Sequence, residues 1–163
     1  MGLALHEAGH VAGAWAFDAD PGVKRVEFAG IPFFAITHRS DLSPRREFII
    51  SSAGFWSQYL LSEQILTHRP RLRLEQRPIE KGVVGFHAGT SVMYAAAAFA
   101  KIGPAERDTR GMASALGISE RWIGVLVLAP AVLDAYRYFH PDAKWAAWSS
   151  RGVKIGMASL VLK

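Results

Sequence analysis

Five consecutive residues carry the first chemical signal in this chain: His6, Glu7, Ala8, Gly9 and His10, an H-E-x-x-H pattern. The stretch around them, Met1 to Phe17, is small and apolar apart from those three polar residues. A turn at Asp18–Gly22, with Pro21, closes it, so it is expected to form a helix. Residues four apart on a helix lie about 40° apart around its axis. Two imidazoles at that spacing can grip one ion. Glu7 beside them can then hold a metal-bound water without ligating the metal. Zn²⁺ lowers the pKa of such a water, and a glutamate can take its proton during attack on a carbonyl. The pentapeptide arises by chance in roughly one chain in a few hundred of this length. Here Leu3, Ala4, Leu5, Val11, Ala12, Ala14 and Trp15 surround it. The polar groups are therefore expected to be buried, and buried ionisable groups need partners.

The chain has no cysteine, so one Zn²⁺ would be held by His, Asp or Glu alone. Catalytic zinc commonly keeps three protein ligands and one open position. The candidates for the third ligand are Asp134 and Glu63, acids inside apolar helical stretches. An unpaired acid near a bilayer centre costs about 2.5–3.5 kcal/mol, whereas metal coordination is worth on the order of 10 kcal/mol. Ligation would account for either acid. The competing reading for Asp134 is an ion pair with Arg137, three residues on. For Glu63 it is an exposed or interfacial helix face.

The elements that must position these groups follow from local pattern. Val23–Gly30 and Ile31–His38 are β-branched and aromatic, with Gly30 at the join, and read as two short strands. Pro32 makes the second an edge or bulged strand. Ser43 and Pro44 suit the N-cap and first turn of a helix running through Phe48–Leu66 and stopping near Pro70. Arg69–Lys81 reads as a basic loop. Gly82–Gly103 is apolar and long enough to cross a bilayer. It carries Gly85 and Gly89 at a spacing that lets membrane helices approach closely. Pro104–Ser119 is polar with room for a short helix. Trp122–Phe139 is apolar again, with Pro130 as an expected kink. The tail, Ala143–Lys163, is Trp-rich and amphipathic and reads as interfacial. His87 reads as a packing histidine. The N-terminus lacks the basic start of a signal peptide, and the first helix is expected to begin upstream.

The 163 residues suit one domain; half are hydrophobic and a fifth are charged. Mean hydropathy is +0.13, too low for a chain that is nearly all membrane. Net charge is +5. The basic residues flank apolar stretches, as membrane interfaces favour, and form no run interleaved with aromatics. A lipid bilayer is thus the expected partner and nucleic acid is not. Lys and Arg are similarly frequent in the loops on both expected sides, so charge sets no orientation.

Three stretches together resemble the site-2-protease type of intramembrane zinc metallopeptidase. A-L-H-E-A-G-H-V-A-G-A is similar to that family's first core helix. S-A-G-F-W-S-Q, Ser52 to Gln58, is similar to its A-G-P-x-x-N segment, with Gly54 matched. A-P-A-V-L-D-A-Y-R, Ala129 to Arg137, is similar to its P-x-L-D-G-x-R segment. Phe55, Gln58 and Ala135 stand where that pattern has proline, asparagine and glycine. The resemblance implies that Asp134 is the third zinc ligand, and that Gln58 and Gly54 position substrate. It also implies a mainly α membrane helix bundle of about four core helices, with a small β-hairpin after the first, in a cell membrane of bacterial type. The function it implies is an endopeptidase acting on membrane-associated proteins. Two other readings remain open at this point: a soluble or peripheral zinc peptidase with Glu63 as third ligand, and a non-catalytic membrane metal-binding protein.

Overall fold

The computed structural model describes residues 2–28 and 31–162. Among them the order is α1 (Gly2–Ala16), β1 (Gly22–Phe28), β2 (Ile31–Thr37), α2 (Pro44–His68), a 3₁₀ turn (Leu72–Leu74), α3 (Pro78–Ala100), α4 (Asp108–Leu116), α5 (Glu120–Phe139) and α6 (Lys144–Leu162). The chain is mainly helical with one antiparallel hairpin, β1 to β2, in register from Gly22 opposite Thr37 to Phe28 opposite Ile31. Gly30, expected at the join, lies outside the described residues.

Local signals set the helix ends. The Ser43 side chain accepts from the Arg46 N–H, and Pro44 opens α2. α2 ends at His68, two residues before Pro70. α3 begins at Pro78, upstream of the expected Gly82, because proline suits the first turn and Glu80 adds a favourable negative charge there. Pro130 lies inside α5. Gly117, at φ 64°, ends α4 in the left-handed conformation.

Phe48, Phe55, Tyr59, Met112, Ile123, Val127 and Met157 form the main core, which joins α2, α4, α5 and α6. Two helices, α3 and α5, are long and apolar enough to cross a membrane. Their most apolar windows are only 33% and 39% buried within the chain. Outward faces are apolar: Val92, Met93 and Phe99 on α3, and Trp122, Val125, Val132 and Phe139 on α5. Gly85 and Gly89, expected at a helix–helix approach, have open space where a Cβ would stand. They lie on the exposed face of α3 instead.

Candidate metal centre

α1 presents His6 and His10 side by side, 2% and 5% exposed. α2 crosses them at Gly54. A Cβ at that position would lie 2.5 Å from His10 Nε2 and 2.6 Å from His6 Nε2. The glycine hydrogen therefore leaves free the space in which the two ring nitrogens meet. Gly9 makes the same allowance from α1, since a Cβ there would lie 2.5 Å from the Ala53 carbonyl oxygen. His10 Nδ1 donates to the Ile50 carbonyl at 2.8 Å. That bond fixes the ring and, in the neutral tautomer, leaves the Nε2 lone pair facing His6, as a metal-binding histidine requires. Tyr94 of α3 stacks on the His6 ring at 5.7 Å, and Phe55 meets it edge-on.

The third group is Asp108, the first residue of α4. Its Oδ2 is 3.0 Å from His6 Nε2, its Oδ1 is 3.4 Å from His10 Nε2, and the two Nε2 atoms are 3.2 Å apart. Zinc–ligand bonds of about 2.0–2.1 Å in a tetrahedron put ligand atoms about 3.3–3.4 Å apart. The observed separations, which run to the two different oxygens of Asp108, are close to that spacing. His6, His10 and Asp108 could thus hold a metal ion, with ligand atoms within 4.8 Å of one another. His6 Nδ1 is buried without a partner among the described residues. Two imidazole nitrogens and one carboxylate oxygen suit Zn²⁺.

α4 reaches this point through close packing and a polar clamp. A Cβ at Gly111 would lie 2.2 Å from Ser51 Oγ and 3.0 Å from Glu47 Oε1. Arg107 donates to both Glu120 carboxylate oxygens at 2.6 Å, and Thr109 Oγ1 donates to Glu120 as well. The start of α4 is thereby fixed to the start of α5.

Charge is strongly coupled here. Burial disfavours the Asp108 carboxylate, but His10 and His6 outweigh it and hold its pKa well below the usual carboxylate range. Burial also disfavours a charged His10, yet the Asp108 charge and hydrogen bond push its pKa up to about 9. Glu7 is half-buried, and burial raises its pKa against the lowering effect of both histidines. A cleft of about 170 Å³ lies alongside, lined in part by His10 and Asp108 on one wall and by Ile36, Thr37, His38 and Glu47 on the other.

Asp134, expected as the third ligand, is not in the group of His6, His10 and Asp108; it lies in an ion-pair cluster with Arg137 and Lys154. Its Oδ1 accepts from Ser150 Oγ at 2.6 Å and Arg137 at 3.1 Å, and its Oδ2 accepts from Lys154 Nζ at 2.8 Å. Glu63, the alternative candidate, belongs to the same cluster. It accepts from Arg137 at 2.6 and 3.1 Å, from Arg151 at 2.8 Å and from Lys154 at 2.9 Å. Three cations, Arg137, Arg151 and Lys154, compensate buried Asp134 and half-buried Glu63. The pairing with Arg137 was legible at i, i+3; the contribution of α6 was not, because that helix read as interfacial. Its Ser150 and Lys154, four apart on one face, are buried. Gln58 is buried, and its Nε2 donates to Thr90 Oγ1 of α3 while its Oε1 has no partner among the described residues. His87 pairs with Ser62 at 2.8 Å. No protein-family model matches this chain, and no curated protein or solved structure matches it.

Proposed function

We propose that this chain is a membrane-embedded zinc endopeptidase, in which His6, His10 and Asp108 hold the ion and Glu7 is the general base. The observation that carries the reading is the convergence of His6, His10 and Asp108 on one point beside a cleft, with Glu7 on the same helix. A zinc ion held there would supply Lewis-acid polarisation and an acidified water.

The residues of the chain do the rest. Glu7 takes the proton of the water that attacks the peptide carbonyl and returns it to the leaving amine nitrogen as the C–N bond breaks. Its raised pKa brings it nearer the working range of a base at neutral pH. β2 lines the cleft. An extended substrate segment could pair with its free edge, which would satisfy the segment's backbone groups away from water. Gln58 Oε1, buried one helical turn beyond Gly54 and without a partner among the described residues, can accept from a substrate N–H.

The bilayer supports the choice of substrate class. Only 33% and 39% of the residues in the apolar windows of α3 and α5 are buried within the chain, whereas core helices of soluble proteins are mostly buried. The likeness to site-2-type peptidases in the first two stretches supports the reading; in the third it does not, since Asp108 of α4 takes the place that the resemblance gave to Asp134.

The test is cleavage of a membrane-spanning peptide by the zinc-loaded chain in lipid nanodiscs. Glu7→Gln should abolish cleavage and keep the zinc. Loss of zinc together with activity would make Glu7 a structural or ligating residue. Full activity in that variant would remove the mechanism.

A further inference from the structure

A second cleft, of about 160 Å³, opens between the C-terminal end of α2 and the α5–α6 turn. The polar side chains in its lining are Arg137, Arg151 and Thr67; no carboxylate lines it, and the remainder, including Leu66, Pro141 and Ala147, is apolar. Behind it, Glu63 and Asp134 accept from Arg137, Arg151 and Lys154. Three cations against two acids leave one positive charge, and Arg137 and Arg151 are the charged residues of the lining. Among the described residues no hydrogen bond uses Arg137 Nε or Arg151 Nη1.

We propose that this cleft binds a phosphate group, held between Arg137 and Arg151. Arginine's planar fork matches phosphate oxygens, and such charge-assisted bonds are roughly twice as strong as neutral ones. Two further observations place that phosphate on an anionic lipid headgroup. Trp145 and Trp148, 58% and 70% exposed, stand on the first turns of α6, and the Arg151 guanidinium lies 5.6 Å from the centre of the Trp148 ring. Exposed tryptophans beside cations are typical of the headgroup layer. The cleft also sits where α5 ends, the depth a headgroup would occupy if α5 spans. The lipid source rests on the membrane reading above, whereas the phosphate chemistry does not.

The experiment titrates the purified chain in neutral detergent with three probes: inorganic phosphate, phosphatidylglycerol in mixed micelles, and diacylglycerol as a phosphate-free control. Thermal midpoint and tryptophan fluorescence are read together. Phosphatidylglycerol should stabilise saturably, diacylglycerol should not, and Arg151→Gln should weaken the effect at least tenfold. Zinc content should stay unchanged in that variant, since no metal ligand lies in the cleft. If inorganic phosphate alone acts and Arg151→Gln removes its effect, the site stands and the ligand is a free phosphate. That arm holds even if the chain proves extractable without detergent. Equal effects of phosphatidylglycerol and diacylglycerol, with no response to inorganic phosphate, would overturn the proposal. So would an undiminished response in Arg151→Gln. Should Arg151→Gln fail to fold, Arg151→Lys, which keeps the charge but loses the fork, must still weaken the response.

Discussion

Replacing Asp108 and Asp134 separately by alanine distinguishes the two acids that could complete the metal centre. Asp108 places its oxygens 3.0 and 3.4 Å from the two histidine nitrogens. If zinc binding on the order of 10 kcal/mol is spread over three ligands, each is worth about 3 kcal/mol. At 1.4 kcal/mol per tenfold, Asp108→Ala should weaken zinc binding by about two orders of magnitude. Asp134→Ala should leave zinc affinity within about threefold, because that carboxylate is bonded to Ser150, Arg137 and Lys154. Its cost falls on the fold. Breaking a buried pair costs about 3–5 kcal/mol. Here Glu63 still accepts from both cations, so the loss should lie at or below the lower end of that range. Zinc affinity is read by competition with a chromophoric chelator, and stability by thermal melting in detergent. If Asp134→Ala strips the metal and Asp108→Ala keeps it, the reasoning fails, and the L-D-A segment is the ligand segment after all.

Four further outcomes are expected. Gly54→Ala should lower zinc affinity by at least about tenfold in the same titration, because its Cβ would lie 2.5 Å from His10 Nε2. Zinc affinity should rise by up to about tenfold per pH unit from neutrality to pH ~9 and then level off, since the metal must displace the proton that His10 holds with a pKa of about 9. In the metal-free protein the His10–Asp108 pair should stabilise the fold fully below the ordinary histidine pKa of about 6.5. That contribution fades as pH rises through about 9, and is lost at the acid end when Asp108 protonates; melting curves against pH with a chelator present check it. Alkaline carbonate and high salt should leave the chain in the membrane pellet, and its release into the supernatant would contradict the spanning roles of α3 and α5.

The half of the centre that could be read from sequence is the half that one helix contains. His6, Glu7 and His10 fall within five residues, so helical periodicity alone puts both imidazoles on one face. Asp108 is 102 residues from His6 and stands in a polar segment, where nothing local separates it from Glu106 or Glu120. The one trace is Gly111, three residues on, where α4 must pass close to Ser51. Asp134 attracted the assignment because an acid in an apolar helix needs a partner. The partners are Arg137, legible three residues on, and Ser150 and Lys154 of a helix whose Trp-rich, amphipathic sequence read as interfacial. The hairpin and the ends of α2 were legible because Pro44, Pro70 and the β-branched runs act locally. The start of α3 was misplaced because Pro78 and Glu80 open it within a stretch that otherwise reads as a basic loop.

The central claim is that one metal ion sits between α1 and α4. Elemental analysis of the protein purified in detergent, together with its His6→Ala variant, tests this directly. The account predicts one zinc per chain in the parent and nearly none in the variant after dialysis against a weak chelator. Equal zinc in both, or none in a folded parent supplied with zinc, would contradict it.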